Sequence, residues 1–186
     1  MTKRIIFGLL FFITVSLNAQ EKIIEPKFIG EAFIIKSDST ILKLEKEQVI
    51  LKTKIGASVY LTGIGKIKTE ISVPGCCSGL VYSPDNEIKL VVRAIDNETD
   101  PLSIIQVFKF QKKKKERLAE LTSIGTFSGG SSNNLNYLKF SADKYGKKSY
   151  ILTIKEFERG AEYGVIVKNP NALDERQTIV STFCIE

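Results

Sequence analysis

The sequence predicts an all-β fold, an antiparallel β-sandwich of immunoglobulin-like character, and three observations carry that prediction. Apolar residues recur with a period of two in several short runs, the mark of strands with one buried face. Turn-forming residues separate those runs at intervals of about eight to twelve residues. Only Lys113 to Leu121 competes as a helix, through its Lys, Glu, Arg, Leu and Ala content, and a hairpin is favoured there because Phe108 and Phe110 deliver the chain as a strand.

In chain order, Phe28 to Lys36 reads as a strand covered on both faces, followed by the turn cluster Ser37-Asp38-Ser39-Thr40. Ile41 to Leu44 and Val49 to Ile55 read as a hairpin with Glu45 to Gln48 at its charged tip. Gly56-Ala57 leads into a further short segment, Ser58 to Thr62. From Lys66 to Val73 the alternation is the cleanest of the chain, with Ile67, Thr69, Ile71 and Val73 against Lys66, Lys68, Glu70 and Ser72. That pattern predicts one wet and one dry face.

Pro74-Gly75-Cys76-Cys77-Ser78-Gly79 is the strongest break. It divides residues 20–75, read as a smaller β subdomain or as strands added to the same sheets, from a sandwich domain over 76–186. The second part opens on Ile88 to Leu121, read as strand, acidic turn, strand, basic turn and a third amphipathic segment. Ile88, Leu90, Val92 and Ala94 alternate in the first strand, and Leu102, Ile104, Phe108 and Phe110 in the second. A Ser-, Gly- and Asn-rich loop around Thr126 to Asn134, the turns at Lys144 to Lys147 and Asn169-Pro170-Asn171, and a closing strand Thr178 to Ile185 complete the pattern.

Met1 to Ala19 has the build of a secretory leader: Lys3 and Arg4, an apolar core from Ile5 to Val15, and small residues before a cleavage point near Ala19. That core is too short for a permanent anchor, and no later run approaches the about 20 apolar residues of a membrane helix. The expected location is therefore periplasmic or extracellular. Of the 27 basic residues, Lys3 and Arg4 belong to the leader, so 25 remain against 21 acidic ones and the formal charge falls from +6 to +4. Such a mild excess favours solubility over nucleic-acid binding.

The chain has no His and no Trp. This removes Ser-His-Asp and Cys-His nucleophile systems, His-ligated metals and the usual base near neutral pH. Gly63-Ile64-Gly65-Lys66 lacks the third glycine of a phosphate loop and leads into a strand rather than a helix, so it does not cradle a phosphate. Glu156, Glu158 and Glu162 are the carboxylates from which an acid–base pair would be drawn.

Cys76, Cys77 and Cys184 are disulfide candidates in an oxidising compartment. Three thiols leave at least one unpaired. Adjacent cysteines bridge each other only through a distorted peptide, so a bond from Cys76 or Cys77 to Cys184 is sterically easier. Buried unpaired thiols are the alternative.

Val91-Val92-Arg93-Ala94, Asp96-Asn97, Asp100-Pro101-Leu102-Ser103, Phe108-Lys109-Phe110 and Ala161-Glu162-Tyr163-Gly164, with the leader ending Leu17-Asn18-Ala19-Gln20, resemble exported β-sandwich proteins of Bacteroidetes-type bacteria. The likeness covers about two-thirds of the mature chain. It implies export and a β-sandwich, and no activity attaches to that group, so no active residue is carried over. Asp38-Ser39-Thr40 resembles the three-residue acceptor for protein O-glycosylation in such bacteria, with Ser39 as the attachment point. A plain turn that uses Asp and Ser to bond the local backbone is the alternative.

Two loops are candidate contact sites. Asp96, Glu98 and Asp100 alternate and would direct three carboxylates toward a calcium ion, with Asn97 adding an amide oxygen. Lys112, Lys113, Lys114 and Lys115 with Arg117 and Lys109 make a basic tip suited to an anionic envelope component or an acidic protein partner. Against these stand a solvated turn and an edge blunted by lysine. No cofactor is required by any motif. The function expected is a noncatalytic exported binding or interaction module; the alternatives are a small His-independent exported enzyme using carboxylates or a metal, and an envelope structural protein.

Overall fold

The computed structural model describes residues 23–125, 131–168 and 178–186, without the side chains of 125 and 131–133. The leader, residues 126–130 of the Ser/Gly loop and the turn at 169–171 lie outside them. The elements are β1 (Ala32–Ile35), β2 (Ile41–Lys43), β3 (Glu45–Gln48), β4 (Ile50–Ile55), α1 (Ala57–Thr62), β5 (Lys66–Pro74), β6 (Val81–Tyr82), β7 (Ile88–Arg93), α2 (Pro101–Ile104), β8 (Ile105–Lys112), β9 (Glu116–Gly125), β10 (Ser131–Asn133), β11 (Asn136–Tyr137), β12 (Ser141–Tyr145), β13 (Ser149–Ile154), β14 (Glu162–Val167) and β15 (Ile179–Ile185).

Two antiparallel sheets pack together as a β-sandwich. The first has the order β12-β13-β7-β1-β2 and the second β3-β15-β14-β8-β9-β5-β4. Strands before Pro74 pair into both: β1 lies against β7, β3 against β15, and β5 against β9. The sandwich core sets Ile34, Ile88, Leu90, Val92, Tyr150, Leu152 and Ile154 against Ile105, Val107, Tyr163, Val165, Phe183 and Ile185. Ile88, Leu90, Val92 and Ala94 are all fully buried, as their alternation predicts.

The second sheet is rolled, and the reason is topological. Its first and last ordered strands, β3 and β4, are separated in the chain by Val49 alone. Two residues span at most about 7 Å, whereas six strand spacings in a flat sheet amount to about 29 Å. Glu45 to Ile55 is therefore one bent strand that pairs with β15 before the bend and with β5 after it. Val49 lies inside the roll with Ile71, Val73, Phe108, Phe110, Ala119, Leu135, Ile166 and Val180. Strands β8, β14 and β15 thus bury both faces, one in the sandwich core and one in the roll.

Several local expectations are corrected by this arrangement. Glu45 to Gln48 is a strand on β15 rather than a hairpin tip, because the strands flanking it belong to different neighbours. Ile88 to Arg93 and Ile105 to Lys112 lie in different sheets, so the acidic segment between them crosses the sandwich instead of closing a hairpin. Leu102 and Ile104 sit in α2, which Pro101 opens and Asp100 caps by accepting from the Leu102 N–H at 2.9 Å. Ser58 to Thr62 is helical, ended by Gly63 at φ +69°. Phe28 precedes β1 and is exposed, its ring beneath the Lys46 ammonium. Lys113 to Leu121 does form the second arm of a hairpin, β8 to β9.

Close packing inside the roll makes one glycine necessary. A Cβ on Gly164 would stand 2.6 Å from the Phe110 ring and 2.9 Å from Phe108 and Val180. Gly164→Ala is expected to destabilise the protein by about 1–3 kcal/mol, the usual result of forcing extra volume into a filled core. Circular dichroism melting checks this, and an unchanged midpoint contradicts it.

The entry of the chain is held by charge. Glu25 accepts hydrogen bonds from the backbone of Lys147 (2.8 Å) and Lys148 (3.0 Å), from Ser149 Oγ (2.7 Å) and from Arg93 Nη1 (2.9 Å). Burial alone would raise its pKa; these four donors outweigh that and hold it below its ordinary value of 4.5. A carboxylate depressed in the folded state contributes stability that is complete above its unfolded value and is lost as pH falls through the folded one. Acid titration of the unfolding free energy is therefore expected to drop below about pH 4.5. Glu25→Gln should cost about 1–3 kcal/mol at neutral pH and flatten that drop; a parallel curve for the variant would refute the assignment.

Candidate functional site

Two regions stand out: a buried polar cluster at one end of the roll and an exposed apolar surface at the other. The register creates both. Alternation along the strands places Glu45 and Glu47 of β3, Lys112 of β8, Arg117 of β9, Glu162 of β14 and Cys184 of β15 on the inner face with Val73 and Phe110.

At this polar end Arg117 is 1% exposed and Glu162 0%. Arg117 Nη1 lies 3.6 Å from Glu162 Oε2, and Arg117 Nη2 lies 3.8 Å from Glu47 Oε1 and donates to the Pro74 carbonyl at 3.3 Å. Lys112 Nζ is 3.8 Å from Glu162 Oε1. The Pro74–Gly79 break closes over these charges. Ser78 N–H donates to Glu162 Oε2 (3.0 Å), Ser78 Oγ to the Thr182 carbonyl and Glu45 (each 3.2 Å), Gly79 N–H to Glu45 (3.0 Å), and Gly75 N–H to the Lys115 carbonyl (2.9 Å).

All three cysteines are free: Cys76 and Cys77 exposed on this loop, Cys184 buried beneath it. Burial, reinforced by the Glu162 carboxylate, pushes the Cys184 thiol up to about 11. The hydrogen bond with Cys76 raises Cys77 as well. A nucleophilic cysteine needs the opposite, a depressed pKa beside a cation. Both thiols are therefore protonated near neutral pH, and the cluster's chemistry is that of an anchored charge pair.

The other singled-out residues are dispersed. Asp96 Oδ1 accepts from the Glu98 and Thr99 amides, Glu98 pairs with Lys144 at 2.8 Å, and Asp100 caps α2. The three carboxylates thus face separate partners, and no group of three or more metal-ligating side chains exists among the described residues. Lys113, Lys114 and Lys115 form the exposed β8–β9 turn, but Arg117 does not join them, because its strand position turns it inward. Glu156 and Glu158 are exposed while Glu162 is buried, so no acid–base pair forms among them. Ser39 is exposed at φ +64° in the tight turn between β1 and β2, with Asp38 bonding the Thr40 amide.

At the opposite end, burial falls away along β5, from Val73 and Ile71 inside to Ile67 and Lys66 in water. The β4–α1–β5 hairpin and the end of β9 thus leave the core. The apolar lining of the roll continues outward through the cross-strand row Ile55, Ile67 and Ile124. Helix α1 buries none of its side chains, with Tyr60 74% and Leu61 85% exposed, and Ile64 follows it. Sequence reasoning missed this surface because Ile67 alternates like a core residue; the signal that was present is the pair of glycines, Gly63 and Gly65, that frame an apolar tip.

Comparison of the chain with known protein families, with curated proteins and with solved structures returns no match.

Removing one member of the buried pair strands the other. Glu162→Leu is expected to cost about 3–5 kcal/mol, and Arg117→Met combined with Glu162→Leu much less than the sum of the single changes. Urea unfolding of the two single variants and the double variant measures this; additive losses would show that the charges do not interact.

Proposed function

We propose that the chain is a noncatalytic exported binding or interaction module of the bacterial envelope or exterior, and that it engages a protein partner through the outer end of the β4–α1–β5 hairpin. The observation that carries the reading is the set Ile55, Tyr60, Leu61, Ile64, Ile67 and Ile124, all exposed, at the outer end of the β4–α1–β5 hairpin and the adjoining end of β9, none of which joins either core. Scattered exposed apolar residues are ordinary on any protein, whereas a contiguous set at one end marks an interaction surface. No helix among the described residues is long and apolar enough to cross a membrane.

The absence of His in the sequence and the raised thiols support a binding role over a catalytic one. Recognition of this kind uses an aromatic and aliphatic centre, here Tyr60 with Leu61, Ile64 and Ile67, while Lys54, Lys66 and Lys68 line the other face of the hairpin.

Photo-crosslinking at Val59, with the protein exposed to envelope extract, tests the reading. A discrete partner band is expected for the wild type and should fall at least tenfold for Tyr60→Ser with Leu61→Asp, while the melting midpoint stays unchanged. Identical bands for both proteins, or none for either, would reject the hairpin as the contact surface.

A further inference from the structure

Strand β4 ends the rolled sheet, and its outer edge has no neighbour among the described residues. Two hydrogen bonds fix which backbone groups face outward. Gly56 N–H donates to the Lys66 carbonyl at 3.1 Å on the β5 side, and Val49 N–H donates to the Thr178 carbonyl at 3.0 Å on the opposite side. Because antiparallel ladders alternate, Ile50, Lys52 and Lys54 turn their N–H and C=O groups to β5, while Leu51, Thr53 and Ile55 turn theirs outward. The outward row offers three donors and three acceptors to an added strand.

Side chains on this edge are sorted by face. Leu51, Thr53 and Ile55 share the apolar face with Ile67 and Ile71; Lys52 and Lys54 share the polar face with Lys68 and Glu70. Lys52 pairs with Glu116 and Lys54 with Glu70, yet both ammonium-bearing side chains remain well exposed at 40% and 53%. A groove of about 770 Å³, bordered by Glu47, Val49, Ile50, Leu51, Thr53, Thr69 and Pro74, runs along the first half of the strand.

We infer that the β4 edge accepts an extended segment of another protein by strand addition, and that the segment alternates acidic and apolar residues. This rests on the interaction reading above and names the chemistry of the partner. Opposite Leu51 and Ile55, apolar side chains extend the dry face. Opposite Lys52 and Lys54, carboxylates give each exposed ammonium a second partner directly across the ladder, beside Glu116 and Glu70. A second copy of the chain fits less well. The antiparallel register that joins the two apolar faces puts Leu51 opposite Ile55, and it also puts Lys52 opposite Lys54 of the other copy, twice in the dimer. Like charges directly opposite are unfavourable, so the same lysines that recruit an acidic strand discourage self-pairing.

The test uses a capped ten-residue peptide of alternating valine and glutamate against one of alternating valine and lysine. Binding is read by fluorescence polarisation, and hydrogen exchange is followed at Leu51, Thr53 and Ile55 by NMR. The glutamate peptide is expected to bind at least tenfold tighter than the lysine peptide and to slow exchange at the three amides at least tenfold. Lys52→Gln with Lys54→Gln should remove most of that preference. Thr53→Pro deletes one outward donor without touching the β5 ladder, a change edge strands tolerate, and should weaken binding at least tenfold. N-methylation of the peptide at alternate nitrogens should do the same with the protein unaltered. Equal binding of the two peptides, undiminished binding to Thr53→Pro, or slow exchange of the three amides in the free protein would each overturn the inference. Loss of the crosslinked partner on changing Tyr60 and Leu61, with no peptide binding, would reject the edge and leave the interaction reading intact.

Discussion

The bend at Val49 is the constraint on which the rest of the structure depends. A strand that changes partners halfway along ties the two ends of a seven-strand path together, and a sheet so tied has no option but to roll. Rolling gives the chain two cores from three shared strands. The outer face of β8, β14 and β15 belongs to the sandwich and the inner face to the roll, so their apolar content must be nearly continuous. Glu162 to Val167 is buried at every position.

A rolled sheet has two ends, and this one treats them oppositely. At one end the opening is filled by Arg117 and Glu162, charges taken out of water, with the Ser78 loop over them and the half-exposed Lys112 at the rim. Buried ion pairs seldom raise net stability, because desolvation cancels most of their attraction; what they impose is geometry. A slipped register at β9 or β14 would leave a full charge alone in the interior. At the other end the apolar lining continues past the point where neighbours stop covering it, and α1, which follows β4 there, leaves Tyr60 and Leu61 exposed. One end is locked and the other is open.

Much of the fold was legible in the sequence, and the misses share a physical origin. Period-two alternation located most strands, since a side chain's face depends only on local backbone geometry. The β-sandwich followed from that. Partnership was not legible, because the same alternation suits a strand beside any neighbour. Glu45 to Gln48 looked like a polar tip because it has no apolar residue; its strand character comes from β15, more than a hundred residues away. Arg117 looked like a surface charge beside four lysines, and only the register with Val73 turns it inward. Leu102 and Ile104 fitted a strand until Pro101 and Asp100 were read as a helix start, a local signal that was available in the residues themselves. The hairpin surface escaped because nothing local distinguishes Ile67 in water from Ile71 in the core.

Closure by β3 also bears on when the molecule can fold. The partner of Glu45 to Gln48 is Ile179–Ile185, and β15 stands between β3 and β14 in the order of the sheet. Until β15 is in place, the inner faces of β8 and β14 have no lid, Val49 has no Thr178 to bond, and Glu162 and Arg117 have no finished interior. Contacts this distant along the chain make for slow assembly. The roll therefore closes only once Ile179–Ile185 is seated, and until then Glu45 to Gln48 on one side and β14 on the other wait on the same seven residues.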